Sequence, residues 1–75
     1  MAASSRSRTI SFAHARFKAA RIKSGLTSLK LGKRLSVPGS VVRAWEDGAL
    51  VPDCEQFFAA CAIFGRKPGD FIEGR

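Results

Sequence analysis

The stretch SLKLGKRLSVPGSVVRAWEDG, residues 28–48, decides how this chain folds. Leu31 and Leu35 lie four apart, which puts an apolar stripe on a helix from Ser28 to Leu35, with Thr27 placed to cap its first turn. Ser36-Val37-Pro38-Gly39 breaks that helix, because proline has no N–H to donate and disfavours a helical conformation at the residue before it. From Gly39 or Ser40 to Glu46 helical spacing returns, with Val42 and Trp45 three apart, before Asp47-Gly48 ends the run. Two short helices with so brief a connection predict a helix-turn-helix over residues 28–46. Its steric requirements are met. Gly32 is small where the second helix must pass over the first, Val37 can plug the space beneath the turn, and Val42 offers an apolar side chain to the core.

Outward from this unit, the flanks also read as helix. Ala13, Phe17 and Ala20 recur at spacings of four and three, predicting a helix over Phe12 to Lys23 that Ser11 caps and Ser24-Gly25 stops. Ala49-Leu50-Val51-Pro52 is a loop. Asp53, followed three residues later by Gln56, resembles a capping box opening a helix from Cys54 to Phe64, with Gly65 after it. Pro68 opens a last helical turn that runs towards Phe71 and Ile72. There is no internal repeat and no strand-like alternation. The expected fold class is all-α, a compact bundle of about five short helices, with residues 1–10 as a flexible basic arm and 11–75 as the domain.

The chain has 75 residues, of which 45% are hydrophobic and 25% charged, enough for one small domain and too few for a large-cleft enzyme. No apolar run is long enough to span a membrane, and no apolar stretch follows Arg6 and Arg8 as a secretory signal requires. The cytoplasm is the expected compartment. Charge is segregated. Residues 1–45 hold ten bases and no acid, whereas the remainder holds six acids and three bases, a polarity suited to meeting a polyanion with the N-terminal portion.

Catalytic chemistry finds no footing. His14 is the sole histidine, the acids sit at helix ends, and no glycine-rich phosphate loop occurs. Cys54 and Cys61, seven apart on one helix, are too distant for a disulfide and are expected to be two buried thiols. No metal site and no cofactor is expected.

The segments FKAARIKSGLT, LGKRLSV, VVRAWEDG, VPD and AIFG, spread over Phe17 to Ile72, resemble the lambda repressor and Cro-like helix-turn-helix family, also called the XRE family. Gly25-Leu26-Thr27 and Trp45-Glu46-Asp47-Gly48 are the most specific of these elements. The resemblance implies sequence-specific binding of double-stranded DNA by a transcriptional regulator, a small repressor of phage, plasmid or bacterial type. It also implies a structural ion pair between Arg21 and Glu46, and core positions at Leu26, Leu31, Leu35, Val37, Val42, Trp45, Phe57, Cys61 and Phe64.

Where the family commonly carries long polar side chains for phosphates and base edges, this chain has Ser28, Gly39 and Ser40. Arg43 alone can make a bidentate contact to guanine, Val41 can meet a thymine methyl, and Ala44 offers little. Base readout is therefore expected to be modest, with phosphates and DNA shape carrying much of the affinity. Arg6 and Arg8 can compensate for the uncharged Ala49-Leu50 loop by following the DNA backbone or entering the minor groove. The helix at 54–64 is apolar nearly all round, which favours a homodimer built on Phe58, Ala59, Ala62, Ile63, Phe71 and Ile72 over the alternative that this helix is simply the central core helix. Glycine and serine at the reading positions, with apolar Leu50 and the apolar face of the helix at 54–64, keep a second function open: an antitoxin-like or antirepressor-like module that binds a protein partner. A membrane-surface role is set aside because the apolar positions are those of a folded bundle.

Overall fold

The computed structural model describes residues 10–74. Strand β1 (Ile10–Phe12) leads into α1 (His14–Lys23), α2 (Ser28–Leu35), α3 (Gly39–Asp47) and α4 (Cys54–Phe64), followed by a single 3-10 turn (Pro68–Phe71) and strand β2 (Ile72–Gly74). The body is the expected all-α bundle. Its two ends differ from the expectation, because β1 and β2 pair antiparallel, with Ser11 opposite Glu73 and Phe12 opposite Ile72. Ile10, assigned above to the arm, is thus part of the fold, and Ser11 is a strand residue rather than a cap. Helix α1 begins at His14 without a side-chain cap. The Ala13 N–H instead donates to the Phe71 carbonyl at 2.7 Å, continuing the join between the chain ends.

Local chemistry sets the other helix ends. Thr27 Oγ1 accepts the Lys30 N–H at 3.1 Å and Asp53 Oδ1 accepts the Gln56 N–H at 2.9 Å. Each such cap contributes about 1 kcal/mol. Helix α2 ends at Ser36, which takes a left-handed conformation (φ 62°) unusual for a residue with a Cβ and turns the chain towards Pro38.

Phe17, Leu31, Val42 and Phe71 are the largest fully buried side chains, joined in the core by Leu35, Trp45, Ala60 and Cys61. Phe17 is the hub, with ring centroids 5.2 Å from Phe64, 5.8 Å from Phe71 and 6.0 Å from Trp45, all edge-on. Such pairs add about 0.5–1.5 kcal/mol each beyond area burial. Leu26, Val37, Phe57 and Phe64 are partly buried against this cluster. Two expectations are corrected here. Phe71, placed above on a partner-facing surface, is 1% exposed, because strand pairing folds the C-terminal turn back over the core. Of the two cysteines only Cys61 is buried, while Cys54, in the first turn of α4, is exposed.

Candidate nucleic-acid interface

The crossing of α2 and α3 is made by bare backbone. A Cβ at residue 32 would lie 2.5 Å from the Val37 carbonyl oxygen, a distance no side chain tolerates, and one at residue 39 would lie 3.2 Å from the Leu29 Cα. Glycine at both points lets the helices close on each other, and the Val37 N–H donates to the Gly32 carbonyl at 2.9 Å to hold the turn.

The inner face of α3 is fixed by Val42 and Trp45, both buried, and by Glu46. Arg21 Nε donates to Glu46 Oε2 at 2.6 Å and Arg21 Nη2 to Glu46 Oε1 at 3.1 Å, a forked pair. Arg21 Nη1 donates further to the Leu26 carbonyl at 2.8 Å. With the two side chains only 11% and 2% exposed, this network fastens the end of α3 to α1 and to the α1–α2 connection. Among the described residues no buried side-chain nitrogen or oxygen lacks a partner.

What α3 presents outward follows from that anchoring. Ser40, Arg43 and Asp47 are exposed at spacings of three and four, on one face, with Ala44 half-buried beside them. Val41 is half-buried and packs against the core, so only part of its side chain faces outward. Gly39 is half-buried against Leu29, and Ser28 is half-buried at the first position of α2. Arg6 and Arg8 lie outside the described residues. Of the proposed interface set on α4, Phe58, Ala59 and Ala62 are exposed, Ile63 is half-buried against the core, and Ile72 is exposed on β2.

Several residues of this surface were not singled out from sequence. Lys30, Lys33 and Arg34 are exposed along α2, and the ion pairs among the described residues involve Arg16, Arg21 and Arg66 instead. Their signal was present, since they occupy the helical positions that Leu31 and Leu35 leave to solvent. Lys33 and Arg34 also suit the negative end of the α2 dipole. Across α2 and α3 the exposed charges are thus four bases and one acid, Asp47. Leu50, read from sequence as part of an uncharged loop, is brought to the same end of α3. The Ala44 carbonyl accepts N–H bonds from Ala49 at 2.9 Å and Leu50 at 3.2 Å, folding the loop back on the end of α3, where Leu50 is half exposed.

Among the described residues no group of three or more His, Cys, Asp or Glu side chains is placed to hold a metal ion, and no helix is long and apolar enough to cross a membrane. Burial, followed by the negative charge of Asp70, pushes the pKa of the Cys61 thiol above its ordinary value.

A short helix crossed by a second at a glycine, with the second anchored from within and exposed without, gives the chain the fold of a lambda repressor-like helix-turn-helix. The P22 c2 repressor, solved in complex with synthetic operator 9T in the presence of Tl+, has a similar structure: the TM-score is 0.71 at 24% identity, over 77% of this chain and 88% of that one. No protein-family model matches the chain, and no curated protein sequence does.

Proposed function

We propose that this chain is a non-enzymatic DNA-binding transcriptional regulator, a small repressor of phage, plasmid or bacterial type that occupies an operator in the cytoplasm as a homodimer. One observation carries the reading: the outer face of α3 is free of core contacts at Ser40 and Arg43, and α2 beside it bears Lys30, Lys33 and Arg34, exposed and in no ion pair among the described residues. A helix-turn-helix lays its second helix in the major groove while the first crosses the phosphates, and this charge placement suits that division. The likeness to a repressor solved on its operator supports the same direction. Arg43 reads a base, Ser28 and Ser40 contact phosphate or sugar, Gly39 and Ala44 let the helix approach closely, and Val41 meets a thymine methyl with its exposed part. Arg6 and Arg8 add phosphate contacts, and no cofactor takes part.

Affinity is to be followed against salt for the chain and for Arg43→Ala. The logarithm of affinity should fall linearly with the logarithm of salt concentration. Arg43→Ala should relax base preference at one position. Equal loss on every sequence would make Arg43 a phosphate contact instead.

A second reading, an antitoxin-like or antirepressor-like module binding a protein partner, draws on the exposed Leu50, Val51 and Phe58. Binding of a protein with no preference among DNA duplexes would favour it.

A further inference from the structure

Asp47 is the first acid in the chain to carry an exposed charge: residues 1–45 contain none, and Glu46 is buried against Arg21. It occupies the outermost line of α3 with Ser40 and Arg43, at the end of a pair of helices whose other exposed charges are basic. Fold stability does not account for an acid at this position. Asp47 is the last residue of α3, at the negative end of the helix dipole, and α3 has no base in its last turn to offset it. Among the described residues it makes no ion pair, neither with Arg43 four residues earlier nor with His14, whose ring lies against Gly48.

Resting on the DNA-binding reading above, we propose that Asp47 is a repulsive element within the DNA-facing surface, lowering the affinity of α3 for the phosphate backbone. When such a helix enters the major groove, its N-terminal residues reach base edges. A carboxylate nine residues into α3, at its far end, is therefore left facing the phosphates that flank the groove. Unpaired like charge is a recognised route to discrimination, because it weakens wrong complexes held only by electrostatics until they no longer persist. In a chain of net charge +7, with sequence-independent attraction to any polyanion, such a brake keeps occupancy dependent on base contacts.

The test compares the full chain with Asp47→Asn, which keeps the size and removes the charge, on a labelled mixed-sequence duplex across a salt series. Glu73→Gln, an equal charge change on β2, serves as the control for net charge. Asp47→Asn should bind about fivefold tighter at near-physiological salt, with a log–log salt slope steeper by about one, while Glu73→Gln stays close to the parent. Equal affinity of Asp47→Asn and parent, weaker binding, an effect confined to one base pair, or the same gain in Glu73→Gln would each overturn the proposal while leaving the DNA-binding reading standing. Failure of the parent to retain any duplex overturns both.

Discussion

Glu46 shows what one residue does in this domain. Its carboxylate is buried and held by both prongs of the Arg21 guanidinium, so a charge is stored beneath α3 only because its partner is fixed there. Glu46→Ala leaves Arg21 partly buried with a single bond, to Leu26, and should cost about 3–5 kcal/mol in urea unfolding. A loss below 1 kcal/mol would mean that solvent reaches the pair. The cysteines make a second residue-scale prediction, since they differ by burial rather than by chemistry. Iodoacetamide should label Cys54 in the native chain and Cys61 only once denaturant is added. Core identity was legible for Leu31, Leu35, Val42 and Trp45 because helical spacing reports directly on which side faces inward. It was not legible for Phe71, whose burial depends on a strand pair formed between the two ends of the chain.

The same division holds for elements. The start of α2, the end of α3 and both ends of α4 could be read from Thr27, Gly48, Asp53 and Gly65, since caps are made by side chains and backbone conformations within a few residues. Strands β1 and β2 could not, because three residues are too few for a period of two to stand out, and their partner lies far along the chain. The start of α1 was misplaced for that reason alone. The reading of the α2–α3 unit rested on Gly32, and the closeness of the Val37 carbonyl gives it a sharp test. Gly32→Ala should destabilise the domain by about 1–3 kcal/mol even though alanine favours helix by about 1 kcal/mol, because the obstacle is backbone that cannot rotate away. Stabilisation by Gly32→Ala would show that α3 can slide on α2 without loss.

At the scale of the whole molecule, the exposed bases of α2 and α3 and the exposed apolar face of α4 lie on different elements, although Leu29 on α2 and Leu50 after α3 are exposed as well. The bases of α2 and α3 are exposed on the helix-turn-helix, while the exposed Phe58, Ala59 and Ala62 lie on α4. That arrangement suits a two-fold dimer in which α4 is covered and two copies of α3 remain open to DNA. Phe58→Glu should leave the fold intact, since Phe58 is 56% exposed, but shift sedimentation at micromolar concentration from dimer to monomer and weaken binding to a symmetric site. A parent chain that sediments as a monomer at that concentration would remove the dimer from the account. Sequence reasoning reached the α4 surface through its composition, and it assigned Phe71 to that surface because composition does not distinguish a side chain awaiting a partner from one already covered by its own chain.

The central claim, that the exposed face of α3 binds DNA and reads it, is tested most directly by selecting bound duplexes from a random pool at near-physiological salt and sequencing them. Enrichment of a two-fold symmetric site, its half-sites about one helical turn apart, is the predicted result. A pool that fails to be retained, or is retained without any enriched sequence, would contradict it.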